Sequence, residues 1–295
     1  MRGTSVDQRR LRGQVLRWVG LLCCTLLVAC GPVEQLGRAL QPTNLPLPTL
    51  MPTGTPAPPP TSTPTGPQDS GWLPTAPGVE LRRISVLVAD QLALITVVRL
   101  DPQQVRFAVG YRPEDPPTLS AWADETGALA VLNGGFFDTN NETVSLIIRS
   151  EQAVGESYVG RGGMFAVSAD GRILLRALSD TPYDPNEALV EALQGWPLLV
   201  RPGGVRAYSY EDGQRARRSA IALDRSGHVL LIATATSSFT LAELSSWLSA
   251  ADLDIEAAFN LDGGASTGLL LRSNLLSERV EAFVTLPIVL LVLPR

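Results

Sequence analysis

An aspartate beside two glycines and two hydroxyls, Asn260-Leu261-Asp262-Gly263-Gly264-Ala265-Ser266-Thr267, joins an apolar run over 255–259 to another over 269–271. Paired glycines lack Cβ atoms and admit φ > 0. Such a backbone can converge N–H groups on an anion, and it also makes ordinary hairpin turns. A carboxylate at that turn suits chemistry on a negatively charged or polyhydroxylated ligand. A second segment of this kind, Asn133-Gly134-Gly135-Phe136-Phe137-Asp138, ends the apolar run 128–132. Strand ends are where binding loops sit. Arg215, Arg217 and Arg218 form either a guanidinium fork for a phosphate or carboxylate or a solvated basic turn. Glu142 and Glu151 are further carboxylates near the second segment. Trp196 reads as a packed tryptophan or a sugar platform, and Phe136 and Phe137 as core.

Composition narrows the chemistry. All three cysteines, Cys23, Cys24 and Cys30, fall in the first thirty residues, no lysine occurs, and His228 is the one histidine. A thiolate site, a Schiff base, a Ser-His-Asp triad and a multi-histidine zinc site are therefore not expected in the main body. His228 reads as an exposed turn residue. What remains is Asp, Glu, Arg, Asn, Ser, Thr and Tyr, an inventory suited to glycosidic bonds or phosphate recognition. No spacing suggests a metal site or cofactor.

Five arginines precede the apolar stretch 18–29, which ends in Leu27-Val28-Ala29-Cys30-Gly31. Basic residues, a short apolar core and a small-residue end read as a signal peptide. The sequence at Cys30 resembles the lipobox of bacterial lipoproteins, which implies lipidation of Cys30 and a membrane anchor. Residues 31–78 are rich in Pro, Thr, Gly and Ser and read as an extended spacer. Removing residues 1–30 leaves 19 basic against 28 acidic residues, a net charge of −9. That argues against a nucleic-acid partner.

Residues 79–295 then form one domain. Strand-like runs dominate: a hairpin over 83–100, then 105–110, 128–132, 144–149, an Asp-Gly hairpin over 163–178, 197–200, 219–223, 229–234 and 285–293. Helices are expected at 119–125 behind a Thr118 cap, at 186–193, and at 240–253 behind a Thr240/Glu243 capping box. The expected class is α+β: a strand-rich single domain with mixed or antiparallel sheets and a few helices.

In order along the chain, VLNGGFFD (131–138), FAVSADGRI (165–173), GWPLLVRPGG (195–204), RARRSAIALDRSGHVLL (215–231), TLAELSSWL (240–248), AAFNLDGGAST (257–267) and VTLPIVLLV (284–292) resemble the phosphodiester glycosidase family. The resemblance spans most of 79–295. It implies a hydrolase that cleaves the glycosidic side of a sugar-1-phosphodiester, acting on a glycan or exopolysaccharide outside the cytoplasm. It points to Asn133, Gly134, Gly135, Arg218, Asn260, Asp262, Gly263, Gly264 and Ser266 as site residues. Asp262 is the expected nucleophile or base, with Asp138 or Glu142 as second carboxylate. Arg218 and the N–H groups near Gly263 and Gly264 are expected on the phosphate, and Asn133 and Asn260 on sugar hydroxyls. Ala265 stands where the pattern carries a third glycine, Ala222 where it carries glycine, and Trp196 in place of the second member of a glycine pair. A non-catalytic glycan-binding lipoprotein and a hydrolase of another envelope glycan linkage are the alternatives.

Overall fold

A computed structural model describes residue 66 and residues 68–295. Cys30, the signal segment and most of the spacer lie outside the described residues. The spacer expectation gives way at its end: Gln68–Asp69 and Leu73–Ala76 are strands paired to Val79–Val88. Leu73 and Trp72 supply apolar surface there, and Asp69 receives a two-pronged hydrogen bond from the buried Arg82, at 2.9 and 2.7 Å. Strands thus occur about ten residues before the composition shift at 79.

Three sheets share one core. The largest carries, in spatial order, Gln68–Asp69, Val79–Val88, Gln91–Leu100, Val229–Thr234, Ser219–Asp224, Ile255–Asn260, Leu198–Arg201 and Val205–Arg206, with Leu73–Ala76 also on Val79–Val88. A second holds Ile173–Ala177, Gly163–Ser168, Leu189–Gly195, Ile147–Arg149 and Gln152–Val154. The third holds Glu278–Val280, Leu269–Leu271, Ala130–Asn133, Ile288–Pro294 and Val105–Tyr111. Every described strand pairing is antiparallel. The mixed-sheet alternative is therefore not met, and the domain holds more β structure than an α+β label implies.

Side chains from all three sheets meet in the main core, among them Leu231, Phe259, Phe165, Leu193, Leu132 and Leu290. Burying such side chains is worth about 1.5–3 kcal/mol each. The helix Leu241–Ala250 closes the outer face of the largest sheet with Leu244 and Leu248, and its Thr240/Glu243 capping box forms. The helix Leu119–Thr126, capped by Thr118, covers the third sheet with Leu119 and Trp122.

The helix expected over 186–193 is instead a turn and the strand Leu189–Gly195. Ala192, Leu193 and Gln194 are fully buried, so both faces of this segment are covered. Glu187 and Glu191, four residues apart, imitate the polar stripe of an amphipathic helix, but Glu191 is buried and accepts from the Val109 and Ser150 N–H groups. The strand expected over 144–149 begins only at Ile147, because Thr143 Oγ1 turns back to the Ser145 carbonyl at 2.6 Å. His228 is half-buried rather than free, with Nδ1 2.9 Å from the Asp224 carboxylate.

Candidate active site

The two glycine-bearing segments lie side by side. Asn133 ends the central strand of the third sheet, and Asn260 ends a strand of the largest sheet. The Asp262 N–H donates to the Gly134 carbonyl at 3.1 Å. Asn133 Nδ2 donates to the Asp262 carbonyl at 2.7 Å, while its Oδ1 accepts from Ser219 Oγ at 2.6 Å and the Gly268 N–H at 3.0 Å. Asn133 is 1% exposed. It is a brace between strands, not a ligand for sugar hydroxyls. Asn260 is likewise buried and spends Nδ2 on the Trp196 and Leu261 carbonyls.

The first glycine pair answers to packing. A Cβ at Gly134 would come within 2.5 Å of Ile288, and one at Gly135 within 2.7 Å of the Gln194 carbonyl. The second pair differs. Gly264 has φ +62° and opens a short 3-10 turn, Gly264–Ser266, a conformation that suits glycine. Ala265 lies within that turn, outside the left-handed region, and is exposed, so its methyl is accommodated.

The expected backbone cradle is already engaged. The Gly263 N–H donates to Asp262 Oδ1 at 2.9 Å, and the Gly264 N–H to the Arg217 carbonyl at 2.9 Å. The glycines shape the loop and hold the carboxylate, and anion recognition falls to side chains. Asp262 itself is partly buried. Burial pushes its carboxyl above the usual aspartate range, while the nearby Ser266 hydroxyl and the Gly263 N–H pull it back. Ser266 thus faces Asp262. A carboxyl raised by desolvation is suited to proton transfer.

Arg218 runs alongside the loop, its Cδ 4.0 Å from where a Gly263 Cβ would stand. Its Nε and Nη2 donate to the Phe239 and Gln214 carbonyls at 3.2 and 2.6 Å. Nη1 has no hydrogen-bond partner among the described residues, and Arg218 makes no salt bridge there. Burial lowers its affinity for the proton, offset by Asp212, Tyr208 and Glu211. Arg217, next to it, is buried and donates to the Thr267 carbonyl at 3.0 Å. Arg215 pairs with Glu243. Arg217 Nε and Nη1 also lack partners but are sealed from solvent, so of the three arginines Arg218 keeps the accessible unpaired nitrogen near the loop.

Sequence reasoning named Trp196 and Phe136 but missed the two residues that join them, Tyr158 and Arg161. Phe136, Tyr158, Arg161 and Trp196 line a cavity of about 210 Å³. The Tyr158 N–H is held by Gln194 Oε1 at 2.9 Å, and Arg161 lies over the Tyr158 ring at 5.3 Å. Burial, the largest influence, raises the Tyr158 phenol. Ser145 and Arg161 lower it and the Asp262 charge raises it further, which puts Tyr158 within electrostatic reach of both Arg161 and Asp262. Neither Tyr158 nor Arg161 belongs to a motif, so residue types alone gave no signal. Asp138 and Glu142 do not join Asp262. Both are exposed, and Asp138 Oδ1 accepts from the Asn140 and Glu142 N–H groups of its own turn, at 2.8 and 2.9 Å. No Asp or Glu is among the groups that shift Asp262. Among the described residues no three of His, Cys, Asp and Glu converge as metal ligands.

An all-antiparallel three-sheet body carries one desolvated carboxyl, Asp262, on the loop after a strand end, with the Arg218 side chain alongside that loop. The chain belongs to the phosphodiester glycosidase family (NAGPA), whose profile matches residues 126–288. Its fold is similar to the zebrafish N-acetylglucosamine-1-phosphodiester alpha-N-acetylglucosaminidase catalytic domain, solved auto-inhibited by its pro-peptide, with TM-score 0.59 and 18% identity over 78% of this chain and 88% of that one. It is also similar to a Synechocystis protein described only as hypothetical, with TM-score 0.54 and 17% identity over 75% of this chain and 63% of that one. No functionally curated protein sequence matches the chain.

Proposed function

We propose that the domain hydrolyses the glycosidic bond of a sugar-1-phosphodiester, with Asp262 as base and Arg218 and Arg161 on the phosphate. The observation that carries this is a single desolvated carboxyl at a strand end, with the Arg218 side chain beside its loop and Tyr158, over whose ring Arg161 lies, within electrostatic reach of it. Water attacks the anomeric carbon and gives its proton to Asp262. The bond from that carbon to the phosphate oxygen breaks, and the electron pair leaves with the phosphomonoester. A phosphomonoester departs as a stable anion, so the reaction does not require the second carboxylate of ordinary glycosidases. The guanidinia stabilise the charge that develops on the leaving group.

The test is hydrolysis of an aryl sugar-1-phosphodiester by the full chain. Asp262→Asn should lose about 10²–10⁴-fold in rate; undiminished turnover in that variant removes Asp262 from its role.

The proposal extends to location. The order of basic residues, apolar core and Cys30 supports a lipid-anchored enzyme outside the cytoplasmic membrane, acting on envelope glycan or exopolysaccharide. Incorporation of labelled lipid that persists in Cys30→Ala would refute the anchor. One observation favours the non-catalytic glycan-binding reading: the Gly263 and Gly264 N–H groups are engaged within the protein. Saccharide binding with no product across a phosphodiester panel would select it.

A further inference from the structure

We infer that the cavity walled by Phe136, Tyr158, Arg161 and Trp196 is the subsite for the sugar ring, and that Trp196 sets which sugar fits. This rests on the hydrolysis proposed at Asp262. The first support is exposure. Trp196 is 37% exposed, against 5% for the packed Trp122. Its indole forms a wall and not a plug.

The second support is rigidity. The Trp196 ring meets the Tyr208 ring edge-on at 5.8 Å and 83°, and its carbonyl accepts from Asn260 Nδ2 at 2.9 Å. Asn260 ends the strand that leads directly to Asp262, so one side chain ties the Trp196 main chain to the base of the Asp262 loop. The Tyr158 main chain is held likewise by Gln194. The backbone positions that carry both rings are therefore set by the fold, as a stacking site requires.

The third support is chemistry. Aromatic faces with a single guanidinium at the rim match the C–H face and hydroxyl edge of a pyranose. The recess, of about 210 Å³ and open to solvent, presents that lining to a pyranose ring of the phosphodiester.

The test titrates the full-length protein with the methyl α-glycosides of glucose, mannose, galactose and N-acetylglucosamine while tryptophan emission is followed. One of these glycosides should shift the wild-type emission, and the shift should vanish in Trp196→Phe, which keeps an aromatic wall. In turnover, Trp196→Ala should raise KM about tenfold, Trp196→Phe should restore most of it, and inhibition by inorganic phosphate should stay unchanged. An unaltered KM in Trp196→Ala overturns the inference, as does a sugar-induced shift that survives in Trp196→Phe. If no phosphodiester is turned over, the hydrolysis reading fails while the emission titration still decides the subsite. A shift lost in Trp196→Phe supports it, and no response to any glycoside overturns it.

Discussion

Asn133 and Asp262 stand 129 positions apart in sequence, and the side-chain amide of one donates to the main-chain carbonyl of the other at 2.7 Å. The same amide group also holds Ser219 and Gly268. Truncation in Asn133→Ala leaves several buried polar groups without partners, each costing about 1–3 kcal/mol. Chemical denaturation should report a loss of about 3 kcal/mol or more, with KM unchanged for the fraction still folded. A raised KM without lost stability would return Asn133 to the ligand role.

Asp262 links activity to stability. Its folded carboxyl holds the proton more tightly than the ordinary value of 3.8, because burial disfavours the charge. Its contribution to stability is then fully present below the unfolded value and is lost as pH rises through the raised folded value. Asp262→Asn, neutral at every pH, should unfold at a higher temperature than the wild type at pH 7, and the gap should close below about pH 4. Equal melting at pH 7 would count against desolvation as the dominant influence. The acid limb of the wild-type rate profile should lie above the usual aspartate range.

The glycine pairs divide by position. Gly134→Ala drives a methyl against Ile288 at 2.5 Å and should cost about 1–3 kcal/mol. Ala265→Gly adds only backbone freedom in an exposed turn and should cost about 0.5–1 kcal/mol, with no gain in rate. A large gain in rate would mean that the methyl obstructs the site after all.

Arg161 and Arg218 separate by what else they hold. Arg161→Gln removes no hydrogen bond or salt bridge among the described residues and should leave melting unchanged while KM for a phosphodiester rises. Arg218→Gln also frees the Phe239 and Gln214 carbonyls and should lower both melting temperature and affinity. Identical melting of the two variants would contradict this division.

Strands precede residue 79. A chain starting at 79 lacks Asp69 and leaves the 8%-exposed Arg82 with only the exposed Asp252 carboxylate at 3.5 Å. The cost is about 2 kcal/mol for hydrogen bonds to a charged group, besides two lost strands. Calorimetry should place its melting several degrees below that of a chain starting at 66.

Much of this architecture was legible in the sequence. Alternating strands, the Ala169-Asp170-Gly171 turn and both helix caps announced themselves through local chemistry. The segment 186–193 did not, because Glu187 and Glu191 sit at helical spacing and the burial of Glu191 depends on the distant Val109. At the site, residue types and spacing singled out the Asp262 turn and the cluster of Arg215, Arg217 and Arg218. They did not single out Tyr158 and Arg161, since Gln194, a buried residue of another strand, sets their loop. The roles of Asn133 and Asn260 were misread for a related reason: a polar residue at a strand end looks the same whether it faces a ligand or joins two sheets.

The bonds around Asn133 close spans of 86 to 135 residues, and the sheets that meet there are antiparallel and largely non-local. Such contacts form late in folding. The Asp262 loop is therefore a report on the completeness of the described body, and an intermediate with most of its strands paired would still leave that loop unformed.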